Sequence, residues 1–370
     1  MGCNLELTNL NVMVGANASG KSSLLQTLLL LRQSANNDSY VNKLALSGSL
    51  YEAGTANDVI HPRANHRIIF TIGRGEGRKI KYDFKLNRDD GASQNQRSIA
   101  GSKRKLIAEL SQKANSFSYL NAERVGPRVN YDMAPEEKGL AGPIGKHGEY
   151  AVSLLAGAQL KETVLDGWSD QTREAFSNSI LNIDGIYRSD EISNSSGRID
   201  LLANLFMNWI IPGSEFECSE VIPQDLSTLG FKIGNFRTVR PTHIGFGLTY
   251  TLPVIAAALV INVDGLLIVE NPEAHLHPFS QSRMGAFLAI IAATGRQIFI
   301  ETHSDHVING IRLAVKYGGI SENNVKINNF RYDRQNAMTS VAQISVDKFG
   351  RLSKWPSGFF DQIETDLAKL

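Results

Sequence analysis

The sequence contains few cysteines, little net charge and no long hydrophobic run, and each shortage excludes a class of protein. Its 370 residues include two cysteines, Cys3 and Cys218, which are too few for a disulfide framework or a paired metal site. The formal net charge of +1 excludes a polycationic nucleic-acid-binding protein. Hydrophobic residues make up 42% and charged residues 20%, the composition of a globular chain with one large or two smaller domains.

Two apolar segments are poorly suited to crossing a membrane. Leu24–Leu31 is much shorter than the roughly 20 apolar residues that a membrane-spanning helix needs. Leu252–Val269 is long enough, but Asn262, Asp264 and Gly265 interrupt it. The N-terminus also lacks the basic flank and apolar run of a signal peptide. We therefore expect a soluble, cytoplasmic protein.

Strand-like and helical patterns alternate near both ends of the chain, which predicts an α/β fold. A strand over Leu10–Val14 precedes a helix over Ser22–Arg32, and strands over Leu266–Val269 and Gln297–Ile300 flank another helix. No heptad pattern persists long enough for a long coiled coil. The patterns divide the chain into four regions: a strand-rich region over 1–105, a mainly helical insertion over 106–236, a second α/β region over 237–346 and a tail over 347–370.

Positive charge is concentrated between Arg63 and Lys105. This segment contains twelve Lys or Arg residues and four Asp or Glu residues, which gives a net charge of +8. Ile68–Ile72 and Ile80–Phe84 have the pattern of a β-hairpin, and residues 87–102 have that of an exposed polar loop. Two interpretations remain open: a solvated hairpin with a mobile basic tip, and a surface that contacts nucleic-acid phosphates.

A glycine-rich segment follows the first predicted strand and ends in lysine and serine. It fits the pattern G-x-x-x-x-G-K-[ST], whose backbone N–H groups and following helix surround the α- and β-phosphates of a nucleotide. In this pattern the Lys21 ammonium reaches the β- and γ-phosphates, and the Ser22 hydroxyl ligates Mg²⁺. The chain is therefore predicted to bind a nucleoside triphosphate with Mg²⁺. The predicted nucleotide-binding residues are Gly15, Asn17, Ala18, Ser19, Gly20, Lys21, Ser22 and Ser23.

A second motif consists of the apolar run Leu266–Val269 followed by Glu-Asn-Pro-Glu. A buried strand that ends in a carboxylate can deliver that group to a Mg²⁺ ion, as in the Walker B motif. We therefore predict Glu270 to be a metal-site residue together with Ser22. Glu273, three residues later, could polarise the water that attacks the γ-phosphate.

Two histidines, His275 and His277, follow this motif. Their spacing allows a metal site that includes Glu273. The following Pro278 and the apolar surroundings instead favour a structural turn at the edge of the nucleotide site.

His303 lies just after the predicted strand Gln297–Ile300. This strand comes one βα unit after Glu270, so both side chains are expected at the carboxyl edge of a parallel sheet, where ligands bind. A histidine at a strand end is often structural. Its expected position next to the nucleotide favours a role as a sensor of the γ-phosphate.

A second glycine-rich segment, Gly-Phe-Gly-Leu-Thr, precedes the predicted helix Leu252–Ile261. Two glycines and a hydroxyl at a helix N-terminus can form a second anion-binding site, although a plain helix cap is the alternative. Because one chain already has a complete phosphate loop, a second anion site suggests that the segment completes the site of a second copy in a dimer. The residues predicted to act across this dimer are Gly245, Phe246, Gly247 and Thr249.

The order of these motifs resembles the ABC-type ATPase heads of SMC-like, RecF-like and OLD-like proteins. The runs VENPEAHLHP and ETHSDH are similar to the OLD-like branch. The runs GFGLTYTLP, AERVGPR and WPSGFFD resemble a family of bacterial AAA ATPases that have a C-terminal domain of unknown function and occur in anti-phage defence loci. The resemblance covers nearly the whole chain. It implies a P-loop NTPase fold of the ABC-ATPase head type, a mixed sheet flanked by helices with a helical insertion between the Walker A loop and the signature motif.

The resemblance also implies ATP and Mg²⁺ as ligands, Glu270 in the Mg²⁺ shell and His303 as a switch histidine. ABC ATPases carry the catalytic glutamate where this chain has Asn271. Asn271, Glu273 and His303 are therefore the catalytic candidates: Glu273 takes over as the base, or turnover is slow and ATP acts mainly as a dimer clamp. OLD nucleases carry a C-terminal TOPRIM domain, and the 67 residues after His303 are too few for one, so we expect no nuclease within this chain.

These inferences favour a homodimeric or larger homo-oligomeric ATPase that regulates a separate effector, such as a nuclease or toxin, in anti-phage defence. The defence role comes from the resemblance alone. A DNA-maintenance clamp of the RecF or SMC type is the alternative, which the basic segment favours and the absence of a coiled-coil pattern weakens. A transporter subunit is disfavoured because the signature is GFGLT rather than LSGGQ and the helical insertion is long.

Overall fold

The structure is a computed structural model that describes residues 4–35, 39–60, 67–73, 79–85, 97–105, 110, 116–137, 139–185, 189–234, 237–354 and 366–370. Within these ranges no helix is both long enough and apolar enough to cross a membrane. The strands are β1 (Leu10–Gly15), β2 (Tyr40–Ala45), β3 (Arg67–Gly73), β4 (Lys79–Lys85), β5 (Ser98–Lys105), β6 (Phe117–Leu120), β7 (Tyr131–Asp132), β8 (Ser214–Val221), β9 (Leu226–Ile233), β10 (Leu266–Glu270), β11 (Gln297–Glu301), β12 (Val325–Asp333) and β13 (Met338–Ser345). The α-helices are α1 (Lys21–Gln33), α2 (Ala56–Val59), α3 (Ala151–Leu160), α4 (Asp170–Asp184), α5 (Ser189–Asn194), α6 (Ile199–Ile210), α7 (Phe246–Val260), α8 (Pro278–Ala293) and α9 (Asp305–Lys316).

The central sheet has the strand order β13-β12-β1-β11-β10-β6. β1 pairs in parallel with β11 and β12, and β10 pairs in parallel with β11 and β6. β13 is the edge strand of the sheet and pairs antiparallel with β12. The parallel order brings the carboxyl ends of β1, β10 and β11 to one edge, where ligands bind in open α/β sheets. The predicted mixed α/β fold is confirmed.

The strands β1, β10 and β11 are buried on both faces of the sheet, which explains why they are almost continuously apolar. In β10, Leu267 and Val269 join a core formed with α3, α4 and α6–α9. Leu266 and Ile268, which point to the opposite face, join a second core formed with α1 and the smaller sheet β2-β5-β4-β3. The strands that end at the candidate site are therefore fixed by packing from both sides.

The smaller sheet corrects part of the prediction for the basic segment. The predicted hairpin is confirmed as β3 and β4. The predicted exposed loop over 87–102 is wrong from Ser98 onward, because β5 begins there, and residues 87–96 lie outside the described residues. In β5, Ile99 is buried opposite Leu44 of β2, so pairing with distant strands decides a conformation that polar composition does not reveal.

The segment over 106–236 contains helices α3 to α6, as the prediction of a mainly helical insertion requires, but also strands. β6 is part of the central sheet, and β7, β9 and β8 form a further antiparallel sheet. β6 has only four residues and all are buried, so it shows no periodicity that distinguishes a strand. The boundaries of the four predicted regions remain predictions.

Candidate nucleotide-binding site

The loop between β1 and α1 has the backbone conformation of a phosphate-binding loop. Gly15 has φ +138°, and a Cβ there would lie 2.2 Å from the carbonyl oxygen of Phe330. Ala18 and Gly20 also have positive φ, at 60° and 96°. α1 begins without a side-chain cap on its N-terminal N–H groups. Left-handed residues followed by an uncapped helix start form a concave backbone surface suited to anions.

Lys21 and Ser22 carry the polar groups of this loop. Lys21 is buried, and its Nζ donates hydrogen bonds of 2.9 Å to the carbonyl oxygens of Gly15 and Ala16. Burial lowers the pKa of Lys21, and the charge of Glu301 partly opposes that effect. The Ser22 hydroxyl donates a 2.9 Å hydrogen bond to Glu301 Oε1 at the end of β11.

The other predicted loop residues lie around these two side chains. Asn17, Ala18 and Ser23 are exposed, so the loop is open to a ligand. Ser19 is buried, and its carbonyl oxygen accepts a 3.0 Å hydrogen bond from the hydroxyl of Thr339 in β13. The antiparallel strand at the sheet edge thus holds the phosphate loop in place.

Glu270 ends β10 and lies in register with Glu301 of β11. Its Oε1 accepts a 2.9 Å hydrogen bond from the hydroxyl of Tyr119, and its Oε2 accepts a 3.3 Å bond from the backbone N–H of Ala122. Burial raises the pKa of Glu270. Glu270 and the phosphate loop are therefore at the same sheet edge, as predicted, but the carboxylate that contacts Ser22 is Glu301.

Arg124 fixes the turn that follows β10. Its guanidinium is buried and donates to the carbonyl oxygens of Glu270 and Asn271, the latter at 3.1 Å. Burial lowers the pKa of Arg124 to about 10. An arginine that binds two successive carbonyls holds the backbone of this turn, so Arg124 positions the acidic residues on either side of Asn271.

The loop after Glu270 presents a further carboxylate towards the end of β11. Asn271 has φ +45°, a left-handed conformation that asparagine tolerates well, and its N–H donates to the carbonyl of Glu301. Glu273 Oε1 accepts a 2.8 Å hydrogen bond from the backbone N–H of His303. Glu273 Oε2 is buried and has no hydrogen-bond partner among the described residues. The three predicted catalytic residues, Asn271, Glu273 and His303, therefore lie together where the loop after β10 contacts the end of β11.

The predicted signature segment forms the N-terminus of α7. Gly245 and Phe246 are exposed, and no atom within 4 Å would contact a Cβ at Gly245. A Cβ at Gly247 would lie 2.9 Å from the carbonyl oxygen of His275, so the helix approaches the loop after β10 closely. Thr249 is buried, and its hydroxyl donates to the carbonyl of Phe246. In this conformation the open part of the signature is its first two residues, Gly245 and Phe246.

The two histidines after Glu273 have structural contacts. The ring of His275 packs 5.2 Å from that of Phe246 and 4.7 Å from that of Tyr250. His277 Nδ1 accepts a 3.4 Å hydrogen bond from the N–H of Phe279 at the start of α8. In the described part of the chain, no group of three or more His, Cys, Asp or Glu residues could hold a metal ion. These contacts favour the structural turn over the metal site.

Three residues of the site were not assigned a role from sequence: Glu301, Tyr119 and Arg124. Arg124 stands inside the run AERVGPR, but nothing local distinguishes it from other polar loop residues. Tyr119 is the third residue of the short buried strand β6. For Glu301 a signal was available, because it follows the apolar run Ile298–Ile300 as Glu270 follows the apolar run of β10.

Comparisons with known proteins agree with this geometry. Residues 10–135 and 153–309 match a family model described as "AAA domain, putative AbiEii toxin, Type IV TA system". Residues 320–370 match a second model, "Protein of unknown function (DUF3696)". The tail residues Trp355–Asp361 fall in this second match but outside the described residues. No protein with a curated description matches the chain.

Several solved structures are similar over nearly the whole chain. The Smc head bound to the C-winged helix domain of ScpA is 15% identical, with 91% of this chain and 90% of that chain covered and a TM-score of 0.46. The Smc head with an extended coiled coil bound to the C-terminal domain of ScpA, derived from Pyrococcus furiosus, is 12% identical, with 98% and 94% covered and a TM-score of 0.47. The SMC head domain from Thermotoga maritima is 10% identical, with 92% and 93% covered and a TM-score of 0.40.

The family match agrees with the site in both of its parts. The first matched range contains the phosphate loop, Tyr119 and Arg124, and the second contains the signature segment and the acidic edge of the sheet. The fold is a mixed α/β fold in which a phosphate-binding loop follows the first strand of a mainly parallel sheet. Because the match spans more than half of the chain, the protein belongs to the AAA-domain family described as putative AbiEii toxin of the type IV TA system.

Proposed function

We propose that this protein binds and hydrolyses ATP with Mg²⁺ and dimerises around the nucleotide. The observation that carries the proposal is the contact between the phosphate loop and the acidic sheet edge, where the Ser22 hydroxyl donates to Glu301 and Glu270 lies beside it in register. A glycine-rich loop that binds no nucleotide and no cation would have no use for two carboxylates next to it. Equilibrium titration with a fluorescent ATP analogue and a phosphate-release assay test the two activities.

Each group in the proposed site has a definite task. The loop N–H groups and Lys21 hold the phosphates, and Ser22 with the carboxylates at the ends of β10 and β11, Glu270 and Glu301, surrounds the cation. Ser22 Oγ and the carboxylates fit Mg²⁺, which prefers oxygen ligands, and the Oε2 atoms of Glu273 and Glu301 are buried without a partner in the described part of the chain. Bound Mg²⁺ would neutralise charge on the phosphates. Glu273, oriented by the His303 N–H, would accept the proton of the attacking water through Oε2.

Dimerisation is proposed through the exposed start of α7. The exposed Gly245 and Phe246 stand at an uncapped helix N-terminus, which favours a negative group from a partner. Nucleotide held by a second copy would supply that negative group. His303, which is exposed near Lys21, would sense the γ-phosphate of its own nucleotide.

Gly245→Asp is expected to weaken ATP-dependent dimerisation by about tenfold or more, because a carboxylate would face the γ-phosphate of the partner's ATP. Gly245 suits this test better than Gly247, since a Cβ at Gly245 meets no atom and aspartate is a favourable helix cap. Analytical ultracentrifugation with and without ATP measures the effect. Gly245→Asn, which is neutral and of similar size, is the matched control and should dimerise normally. A Gly245→Asp variant that dimerises like the wild type rules out this interface.

The proposed output is the regulation of a separate effector, a nuclease or toxin, in anti-phage defence. Two things support it: the resemblance of the sequence motifs to defence-associated ATPases, and a family description that names a putative toxin and a type IV TA system. Isolating the native complex from its own cells and identifying its components by mass spectrometry tests the proposal. Recovery of the ATPase without any nuclease or toxin, with and without ATP, counts against it.

A DNA clamp is the second candidate, and one surface favours it. Lys79, Lys81 and Lys85 alternate along β4 and are all exposed on one face of the smaller sheet. Asp83 on this face is paired with Arg67 at 2.7 Å and with Lys81 at 3.6 Å. The net charge of the face is therefore positive. Residues 63–66, 74–78 and 86–96 of the basic segment lie outside the described residues.

Replacing the three β4 lysines with glutamine should weaken DNA binding if the clamp proposal is right. The slope of log K against log salt should become shallower by about 0.9 for each phosphate that the variant no longer neutralises. Fluorescence anisotropy with duplex DNA at several salt concentrations measures it. The matched control replaces three exposed lysines elsewhere, Lys161, Lys316 and Lys348. Equal slopes for the two triple variants would reject this face as a DNA-binding surface.

A further inference from the structure

Glu301 is the carboxylate nearest to the hydroxyl that the phosphate-loop pattern assigns to the cation. It is 7% exposed, and its Oε1 accepts the 2.9 Å hydrogen bond from Ser22 Oγ. Its Oε2 is buried and has no hydrogen-bond partner among the described residues. A buried carboxylate oxygen without a partner is costly, so an unpaired one next to a ligand hydroxyl indicates a missing ligand.

Glu270 differs from Glu301 in this respect, although the two are neighbours in the sheet. Tyr119 donates to one of its oxygens and the Ala122 N–H donates to the other. Both oxygens of Glu270 therefore have donors from the protein, and a cation would have to compete with them. In Glu301, by contrast, Oε2 accepts no hydrogen bond from any described residue, so a cation would meet no competing donor there.

The fold itself gives no reason for a carboxylate at this position. Ile298, Phe299 and Ile300 before it are buried apolar residues, and burial raises the pKa of Glu301. The charge of the Lys21 ammonium partly opposes that rise, but the ammonium donates its hydrogen bonds to carbonyl oxygens of the loop and not to Glu301. The cost of this buried carboxylate is therefore offset only in part by the described residues.

We propose that Glu301 is a direct carboxylate ligand of the divalent cation in this site, together with the Ser22 hydroxyl and the nucleotide phosphates. Glu270, whose oxygens accept hydrogen bonds from Tyr119 and Ala122, is then not a direct ligand of the cation. The assignment rests on the proposed nucleotide-binding function. It places the protein's carboxylate ligand on β11, the strand next to β1, rather than on β10.

The test compares the wild type with Glu301→Gln and Glu270→Gln in the affinity for a fluorescent ATP analogue, measured in EDTA and in Mg²⁺. Glutamine keeps the size of the side chain and can still accept the Ser22 hydrogen bond. Glu301→Gln should bind the analogue in EDTA as well as or better than the wild type, because the substitution removes a negative charge near the phosphates. The gain in affinity on adding Mg²⁺ should fall by about tenfold or more. Electron paramagnetic resonance of Mn²⁺ with nucleotide should show the same loss of bound cation.

Each result decides the assignment. The assignment is overturned if adding Mg²⁺ increases the analogue affinity of Glu301→Gln by a factor within about twofold of the wild-type factor. It is also overturned if only Glu270→Gln loses this increase in affinity. Wild-type protein that binds the analogue equally well with and without Mg²⁺ contradicts this assignment alone. Wild-type protein that does not bind the analogue at all contradicts the proposed function as well.

Thermal unfolding serves as the folding control. Glu301→Gln should melt no lower than the wild type, because the substitution removes a buried charge. If the variant unfolds instead, Glu301→Asp keeps the charge but shortens the side chain by one methylene. That variant should bind Mn²⁺ more weakly than the wild type in the presence of nucleotide, and equal Mn²⁺ affinity would overturn the assignment.

Discussion

Lys21→Ala is expected to lower the affinity for ATP by about 10- to 100-fold, because it removes charge-assisted hydrogen bonds to the phosphates that are worth about 1.5–3 kcal/mol. In the structure the ammonium is held 2.9 Å from the carbonyl oxygens of Gly15 and Ala16, at the start of the loop that the phosphates would enter. Phosphate oxygens would replace these carbonyls as acceptors. Isothermal titration calorimetry with a slowly hydrolysed ATP analogue measures the effect.

The control for this prediction is Lys161→Ala, which removes an exposed lysine just after α3. It should bind ATP like the wild type. Circular dichroism and the melting temperature establish that Lys21→Ala remains folded. Equal nucleotide affinity in a folded Lys21→Ala variant would show that the loop between β1 and α1 is not a phosphate-binding loop.

Glu273→Gln is expected to slow ATP hydrolysis by about 10²–10⁴-fold while ATP still binds, because an amide cannot accept the proton of the attacking water. The structure gives Glu273 two features of a general base. Its Oε1 is oriented by the His303 N–H at 2.8 Å, and its Oε2 has no partner among the described residues. Glutamine keeps the first contact and loses only the basicity. A single-turnover assay with excess enzyme separates hydrolysis from binding and product release.

Asn271 provides the matched comparison for Glu273. Glutamate at this position would have to adopt φ +45°, which costs a residue with a long side chain about 1–2 kcal/mol, whereas aspartate tolerates this conformation better. Asn271→Asp should therefore fold normally and hydrolyse ATP at the wild-type rate or faster. If Glu273→Gln hydrolyses ATP at the wild-type rate in a single turnover, the base is another group, and His303 or the second subunit becomes the candidate.

The phosphate loop and the acidic strand end could be predicted because each is a continuous stretch of sequence. Four apolar residues followed by Glu270 can be recognised without knowing what packs around them, and the same holds for the glycines and lysine after β1. The helices and strands on both sides were also predicted to within a few residues, apart from α7. This helix begins at Phe246 rather than Leu252 and includes Pro253, so the signature segment is its first turn.

The partners of these motifs could not be predicted, because each comes from a distant part of the chain. Ser22 and Glu301 are 279 positions apart, and Tyr119 and Glu270 are 151 apart. A hydrogen bond across such a distance in sequence leaves no local periodicity or spacing.

The sequence by itself determined the class of fold, the phosphate loop and the acidic residues that could surround a cation. The tertiary structure decided which carboxylate contacts Ser22, because β11 rather than β10 is the neighbour of β1 in the sheet. It also decided that Arg124 holds the turn at Asn271 and that the oxygens of Glu270 are occupied. Strand order depends on how helices and strands pack over both faces of the sheet, and packing is a property of the whole chain.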